Sequence, residues 1–256
     1  EQLVIRGEAA IEEIKNTLLS SSDEEVRTAA VFMLYRINAA ADAIRTALED
    51  KSAIVRTAAA RVLGLSKDRQ CVAKLMELVQ TDEAPVRRQA ATALGQIGDS
   101  RAISALIKAS SNPNDRFVEH AIIYALITLR EPELLVQALT DASAPVRKAA
   151  LIALDQMGGS PLKKDQLAPF LNSENEQLQN AGIWVALHHL NWADVVVDFL
   201  KHNLNADSLS ADQQSSIRNL MIAFSADVQM QQFITAQLNN KGIALQGRRL
   251  LLDVIE

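Results

Sequence analysis

Histidine and carboxylate side chains are the residues of this chain that could hold a metal ion. Four histidines occur, His120, His188, His189 and His202. His120 directly follows Glu119, and this acid–histidine pair is not repeated. The pair His188–His189 has Asn191 and Trp192, not a carboxylate, at the spacing that shares a helix face. Because a metal site needs several converging ligands, we predict no metal site and interpret the histidines as surface or groove residues.

The other reactive residue types also lack the spacing of a catalytic or cofactor site. Cys71 is the single cysteine, so no internal disulfide can form, and its place on an apolar helix face favours a small buried hydrophobe over a reactive thiol. The sequence has no glycine-rich phosphate loop, nucleophile elbow or zinc-spaced cysteines. Its carboxylates stand at helix starts and turns, where they complement the helix dipole. We therefore expect no cofactor and no enzymatic activity in this segment.

The charge balance restricts the classes of partner. Lys and Arg number 26 against 31 Asp and Glu, which gives a net charge of −5. Nucleic-acid binding depends on clustered Lys and Arg that neutralise phosphates, so this interspersed acidic chain argues against it. No run approaches the roughly 20 apolar residues that cross a bilayer. We expect a protein or peptide partner, or neighbouring domains of the same chain, with no membrane insertion by this segment, and a monomer.

A near-even repeat positions all of these residues. A Val-Arg pair, intact or substituted, begins one amphipathic helix in each repeat, at Val26, Val55, Val86, Val118, Val146, Leu178, Ile217 and Leu245. The steps between these first members are 29, 31, 32, 28, 32, 39 and 28 residues. A period of this length predicts stacked supersecondary units.

Apolar residues at helical spacing divide each repeat into two helices. The predicted pairs are 8–20 with 24–37, 40–48 with 53–63, 69–79 with 85–97, 100–110 with 115–129, 132–139 with 145–157, 166–171 with 178–190, 193–204 with 213–224, and 228–238 with 243–255. In the first pair we expect the second helix to bury Val26, Ala30, Met33, Leu34 and Ile37. No segment alternates as a strand does, so the prediction is an all-α fold.

Turn residues mark the helix ends. Pro85 and Pro145 stand in first helical turns, where a missing N–H costs nothing. Gly64, Gly98 and Gly158 are placed just past helix ends, where a left-handed cap is wanted. Three pairs read as capping boxes: Ser22 with Glu25, Ser173 with Glu176, and Ser210 with Gln213.

The repeated motif resembles HEAT repeats, especially the short variety found in phycobilisome lyases. The best matches are DEAPVRRQAATALGQIG (82–98), DASAPVRKAALIALDQMG (141–158) and DEEVRTAAVFML (23–34). The resemblance implies a right-handed α-solenoid superhelix of about eight helix pairs. It also implies a ladder in which turn aspartates and the motif arginines interact between units. Asp50 with Arg56 and Asp141 with Arg147 fit that ladder, and Asp82 with Arg87 is a variant.

A narrower resemblance concerns the parent protein. The segments 116–129, 146–173 and 248–256 look like the HEAT part of large secreted bacterial proteins described as membrane-bound dehydrogenases, which also carry a propeller and a haem c domain. This chain has no CxxCH, so none of that redox chemistry transfers to its residues. We expect one HEAT domain over 1–256, regular over 8–158 and divergent over 159–256, as a piece of a longer protein. A periplasmic or extracytoplasmic location follows if this resemblance holds.

The sixth residue after each motif valine is the sharpest functional candidate. It should project onto the concave side of the solenoid, and the resulting stripe comprises Phe32, Arg61, Thr92, Tyr124, Ile152 and Trp184. Aromatics and arginine are the usual anchors of protein interfaces. The alternative is that curvature packs these side chains between neighbouring helices.

Two function classes therefore stand. The first is a non-catalytic scaffold or interaction domain that offers its concave face to a partner. The second is a HEAT-type enzyme, lyase- or hydroxylase-like, that acts on another protein. HEAT-based hydroxylases use recurring His-Glu dyads that meet at a di-iron centre, and those dyads are missing from this sequence. The sequence therefore favours the scaffold.

Overall fold

The computed structural model describes residues 2–159, 161–205 and 209–254, and all regular structure within those ranges is helical. Three short 3-10 turns, Ala47–Glu49, Arg69–Cys71 and Ser100–Ala102, adjoin the α-helices. The α-helices are α1 Gln2–Ser20, α2 Glu24–Arg36, α3 Ala41–Thr46, α4 Ala53–Leu65, α5 Val72–Thr81, α6 Ala84–Ile97, α7 Ile103–Ala109, α8 Arg116–Leu129, α9 Pro132–Ala138, α10 Ala144–Gln156, α11 Lys164–Leu171, α12 Glu176–Ala186, α13 Ala193–Asn203, α14 Ala211–Ala223, α15 Val228–Asn239 and α16 Leu245–Leu252.

These helices confirm the predicted all-α fold, and they follow the predicted order along the chain; α13 packs mainly on α11 and α15 rather than on its predicted partner α14. Most ends differ from prediction by a few residues, and the predicted end of the last helix, Ile255, lies outside the described residues. Packing divides the chain into two compact units, Glu1–Ser160 and Pro161–Glu256. The division falls beside residue 158, where the regular repeats were expected to give way to divergent ones. A single domain over 1–256 stays a prediction.

Side-chain caps fix where the helices start. The Asp23 carboxylate accepts the Glu25 N–H at 2.8 Å, and Ser52 Oγ accepts the Ile54 N–H at 3.2 Å. The predicted cap Ser22 is therefore wrong by one residue, since a carboxylate satisfies a first-turn amide as well as a hydroxyl does. Asn175 likewise replaces Ser173 as the cap of α12. The Ser210–Gln213 capping box is present at the start of α14.

The first unit consists of two layers of helices. We call α2, α4, α6, α8 and α10 the B helices, since each is the second of its pair, and α1, α3, α5, α7 and α9 the A helices. Each B helix packs against its neighbouring B helices and against an A helix. The motif valines Val55, Val86, Val118 and Val146 are buried in this stack, together with the residues four positions later, Ala59, Ala90, Ile122 and Ala150.

Glycine sets the closest approach of B helices. A Cβ placed on Gly64 would lie 2.7 Å from Ala93 Cα, and one on Gly95 would lie 3.1 Å from Ala125 Cα. The helix pairs α4–α6 and α6–α8 consequently have the most extensive packing in the unit. The predicted role of Gly64 as a helix cap is wrong because α4 continues to Leu65. Gly98, with φ of 72°, does cap α6 in the left-handed conformation.

The edge of the first unit at α2 differs from prediction. Ala30 and Leu34 are buried as expected, but Val26, Met33 and Ile37 are exposed. In the later repeats the positions of Val26 and Met33 are buried, because the preceding B helix covers them. Since α2 is the first B helix of the array, these apolar side chains lie on the side of α2 that faces away from α4.

The second unit packs α11 against α12 and α13, α13 against α15, and α16 against α14 and α15. Gly182 gives α12 its close approach to α11, since a Cβ there would lie 2.9 Å from Phe170 Cβ. Leu209, which precedes α14, is tied to α16 because its N–H donates to Gln246 Oε1 at 3.2 Å. The unit is thus held together by specific contacts despite its weaker sequence repeat.

Candidate interaction surface

The arginines of the repeat motif form a ladder between consecutive repeats. Arg27 on α2 donates from Nε and Nη2 to the carboxylate of Asp50, at 2.7 and 2.8 Å. Its Nη1 donates to the carbonyls of Ser21 and Ser22 in its own turn. One edge of the guanidinium therefore closes the local turn, and the other edge binds the next repeat. Such a bidentate pair fixes geometry as well as adding energy.

Arg56 repeats this arrangement one unit later. Its Nε and Nη2 donate to Asp82 at 2.8 and 2.6 Å, and its Nη1 donates to the carbonyls of Asp50 and Lys51 at 2.8 and 3.2 Å. The expected side-chain partnership of Asp50 with Arg56 is therefore shifted by one repeat. The shift arises because the turn's own carbonyls occupy the near edge of each guanidinium.

The ladder changes where the sequence no longer supplies an aspartate. The turn after Arg87 reads Asn112-Pro113-Asn114, and Arg87 donates instead to the carbonyls of Val79, Ala109 and Asn112. Arg87 does not bond to Asp82. Burial lowers the pKa of the Arg87 guanidinium from its usual value. The variant pair expected from the sequence is thus replaced by a carbonyl cage around a buried cation.

The fourth and fifth repeats depart from the arginine ladder. Glu119 occupies the arginine position and pairs with Lys148 of the next repeat, Nζ to Oε1 2.8 Å. Since an acid occupies that position, nothing from the fourth repeat neutralises Asp141. The Asp141 carboxylate accepts the Ser143 N–H, and Arg147 donates to the Asp141 carbonyl at 2.8 Å. The expected Asp141–Arg147 contact is therefore made through the backbone carbonyl.

The side chains of the ladder are mostly buried, so they contribute to packing between repeats. The side chains of Arg56 and Asp82 are 14% and 9% exposed, so a ligand has little access to them. For Asp50, burial opposes ionisation, but hydrogen bonds from Arg27 and from the Ser52 N–H outweigh it and lower the carboxyl pKa. These groups hold consecutive repeats in register, and they do not occupy the exposed side of the B helices.

The predicted stripe lies on that exposed side. In the first unit Tyr124 is 59% exposed and Phe32 is 37% exposed, while Arg61 is also exposed and Thr92 and Ile152 are half-buried. None of the five is enclosed between helices, so the packed alternative does not describe them. Trp184, the sixth member, is 42% exposed within the second unit.

Four positions on each B helix share this exposure, one before the motif valine and two, six and ten after it. None of these positions is buried on any of the five B helices. We call this surface of the first unit the B-helix face. Phe117, which the sequence reasoning did not select, lies on it about two helical turns before Tyr124 and is 52% exposed. The Arg116 guanidinium stacks on the Phe117 ring, 4.8 Å from its centroid.

Charge on the B-helix face is mostly positive. Its basic residues are Arg36, Arg61, Arg88 and Lys148, and Glu25 is the one carboxylate at these positions, all of which the structure describes. Lys148 is already paired with Glu119. The three arginines are exposed and make no ion pair with a described residue. The face thus combines aromatic rings with free guanidinium groups.

The second unit has its own aromatic group at the end of α12. The Trp184 ring meets the His188 ring edge-on at 4.1 Å, and the His189 ring stacks on Trp192 at 3.8 Å. Two of the four histidines that could have bound metal therefore serve aromatic contacts. Within the described residues, no three His, Cys, Asp or Glu side chains converge as metal ligands.

Cys71 is buried, as the sequence predicts. Cys71 is 2% exposed and its thiol donates to the Asp68 carbonyl at 3.0 Å. Burial, with a smaller contribution from Asp68, raises the pKa of this thiol to about 12. It is therefore a packed thiol rather than a nucleophile.

None of the described helices combines the length and apolar character required to span a bilayer.

Comparison with known proteins agrees with this architecture. Residues 41–127 match the family model for HEAT repeats. A curated relative, the Bilin biosynthesis protein PecE of Mastigocladus laminosus, is 33% identical over 131 residues, which are 49% of this chain and 47% of the relative. The chain therefore spans about half the length of that curated relative.

Solved structures are similar at the level of the fold. Importin beta is 12% identical with a TM-score of 0.55, over 95% of this chain and 42% of that chain. The complex of CpcE and CpcF of phycocyanin lyase from Nostoc sp. PCC7120 is 22% identical with a TM-score of 0.46, over 96% of this chain and 94% of that chain. The paired helices, the repeat match and the importin likeness together define a HEAT-like α-solenoid.

Proposed function

We propose that this chain is a non-catalytic scaffold that holds a partner protein on the B-helix face of its first unit. The observation that carries the proposal is the exposure of Phe117 and Tyr124 at 52% and 59% on one face of α8. The same face carries exposed apolar side chains at Phe32 on α2 and Ile54 on α4, and the intervening helix α6 presents Pro85, Arg88, Thr92 and Gln96 there. Tyr and Arg are enriched among the residues that dominate binding energy at interfaces.

The rigidity of the unit supports this role. The arginine ladder and the Gly64 and Gly95 contacts fix neighbouring B helices, so the exposed rings are already positioned before a partner arrives. A preorganised surface loses less entropy on binding than a flexible one. An extended binding surface of this kind is the common use of stacked repeats.

The test uses the immobilised chain to capture partners from the source cell's extract, with variants run beside it. We expect a specific protein to be captured by the wild type and lost with Tyr124→Ala. Leu134→Ala is the matched control, because Leu134 is an exposed apolar residue on the A helix α9. Equal capture by the wild type and Tyr124→Ala, with both variants folded by circular dichroism, would reject the proposal.

A second candidate function follows from the curated relative, which is a bilin biosynthesis protein. On that reading the chain is a lyase-like subunit that acts on a protein substrate, and the B-helix face would hold that substrate. The test is to add a free bilin to the purified chain and record its visible absorption. A shifted or sharpened band favours this candidate, and an unchanged band with the chain in excess rejects direct bilin binding.

We also propose, from sequence resemblance, that the scaffold is part of a larger extracytoplasmic bacterial protein with a haem c domain. In that setting the solenoid would position neighbouring domains. The full gene provides the test: a signal peptide and a downstream CxxCH support this placement. A gene that encodes helical repeats alone contradicts it and leaves the scaffold proposal unchanged.

A further inference from the structure

The three free arginines of the B-helix face lie on three adjacent helices. Arg36 is on α2, Arg61 on α4 and Arg88 on α6, and these helices pack side by side. By contrast, the ladder arginines Arg27 and Arg56 bind Asp50 and Asp82. Arg36, Arg61 and Arg88 are exposed, and no described carboxylate neutralises them. This face therefore carries three unpaired guanidinium groups against one carboxylate, Glu25.

That excess of positive charge runs against the composition of the protein. Residues 1–160 contain 19 Lys and Arg against 21 Asp and Glu, and the whole chain has a net charge of −5. Many of the acids serve elsewhere, since Asp50 and Asp82 pair within the ladder and Asp23 and Asp115 cap helices. Opposite charges on two surfaces steer association and fix its register. A positive face on an acidic protein fits a partner surface of negative charge.

The positions of the three arginines predict the spacing of the acidic residues on the partner. The arginines stand ten, six and two residues after their motif valines, so they form a diagonal across the three helices. Packed helices lie roughly 8–10 Å apart, and four helical residues rise roughly 6 Å. Successive arginines are therefore roughly 10 Å apart. A peptide in the polyproline II conformation rises about 3.1 Å per residue with three residues per turn, so it covers that distance in about three residues and presents every third side chain to the same face.

The residues between the arginines favour a protein over a nucleic acid. Phe32 and Ile54 lie among the arginines on α2 and α4, and Tyr124 adds an exposed ring on α8, beyond Arg88 of α6. Three free cations on a chain with a net charge of −5 are few for tracking a phosphate backbone, whose binding depends on many neutralised phosphates. Carboxylates paired with arginine beside apolar contacts suit an amphipathic acidic peptide.

We infer that the B-helix face binds an acidic segment of its partner protein, with Asp or Glu at about every third position paired to Arg36, Arg61 and Arg88. This inference rests on the proposed function and specifies the chemistry of the partner. Binding is electrostatically assisted, so it weakens as salt shortens the Debye length from about 10 Å at 0.1 M.

The experiment measures fluorescence anisotropy of a labelled peptide of about twelve residues, with glutamate at every third position and tyrosine or leucine between. The same peptide with glutamine is the ligand control. We expect the glutamate peptide to bind and the glutamine peptide to bind roughly tenfold to hundredfold more weakly, as three partly exposed ion pairs allow. The triple variant Arg36→Gln, Arg61→Gln, Arg88→Gln should show the same loss.

A matched triple variant separates local pairing from net charge. Lys51, Lys67 and Lys108 are exposed, lie outside the B-helix face and form no ion pair among the described residues, so their change to Gln removes equal charge. Equal losses in both triple variants would overturn the inference, because bulk charge would then explain binding. Tighter binding of duplex DNA, lost with the arginine variant, would also overturn it and assign the face to nucleic acid.

The outcome also distinguishes this inference from the proposed function. If partner capture depends on Tyr124 but the arginine variant captures normally, the scaffold stands and the acidic partner is rejected. If capture is insensitive to Tyr124 and to the arginines alike, the proposed function fails with it. Glutamate-dependent peptide binding together with arginine-dependent capture supports both.

Discussion

Replacing Arg56 with alanine tests whether the ladder holds the first unit together. The substitution removes two charge-assisted hydrogen bonds to Asp82 and two bonds to the carbonyls of Asp50 and Lys51. It also leaves the Asp82 carboxylate, whose side chain is 9% exposed, with the Glu83 N–H as its remaining described donor, at 2.7 Å. The repeats on either side then lose their shared anchor.

The expected cost follows from the partial burial of the pair. Exposed ion pairs contribute about 0–1 kcal/mol, and breaking a fully buried pair costs about 3–5 kcal/mol. Arg56 and Asp82 lie between these limits, because both are mostly shielded but Asp82 keeps one hydrogen bond. We expect Arg56→Ala to lower the free energy of unfolding by about 2–3 kcal/mol.

Urea unfolding followed by circular dichroism provides the measurement. With a slope of about 2–3 kcal/mol per molar urea, the midpoint should fall by about 1 M. Arg147→Ala is the matched control, since Arg147 occupies the same motif position but donates to one carbonyl, Asp141 O. We expect about 0.5–1 kcal/mol for that loss. Equal effects of the two substitutions would refute the view that the Arg56–Asp82 contact stabilises the stack.

Three further predictions concern packing and pH. Gly64→Ala should lower the free energy of unfolding by about 1–2 kcal/mol, because the clash with Ala93 exceeds the gain in helix propensity. The control Gly7→Ala has open space around its Cβ and should be neutral or stabilising. Thermal melts compare the two variants, and equal effects would contradict the close approach of α4 and α6. Cys71 should resist thiol reagents in the native state. The free energy of unfolding should also fall as pH rises from about 9 toward 12, because the unfolded thiol ionises in this range while the folded thiol, with a pKa of about 12, does not. Cys71→Ala should lack this pH-dependent component in urea melts. Asp50 has a lowered pKa in the folded protein, so its ionised carboxylate stabilises the fold above about pH 4, and this contribution is lost on acidification. Asp50→Asn should reduce the dependence of the unfolding free energy on pH in the acid range. An unchanged dependence would contradict the pairing with Arg27.

Local signals in the sequence were sufficient for the helices. Helical spacing of apolar residues and the repeated Val-Arg pair predicted the helices and their order, and Gly98 and the Ser210–Gln213 box marked the expected ends. The errors at Ser22 and Ser173 have a local cause, since Asp23 and Asn175 are equally good caps one or two residues away. Helix existence depends on summed periodicity, whereas a cap depends on a choice between neighbouring residues.

Partnership between repeats needed the tertiary structure. Each of the first three repeats has a turn Asp and a motif Arg, but the stacking register decides that Arg27 binds Asp50 and Arg56 binds Asp82. Gly64 shows the same dependence, because its close approach to Ala93 is a property of two helices. Val26 carries the same motif valine as Val55, yet it is exposed, because burial depends on a preceding B helix.

The histidines, Cys71 and the exposed residues of the B helices show the same division between sequence and tertiary structure. Spacing along the chain was enough to show that His188 and His189 have no carboxylate at contact spacing on their own helix, and to predict that Cys71 is buried. Only the tertiary structure decided that Phe32, Arg61 and Tyr124 are exposed, that Phe117 joins them, and that Arg36, Arg61 and Arg88 are free. Periodicity fixes which side of a helix a residue occupies, but the packing of neighbouring helices decides whether that side is covered.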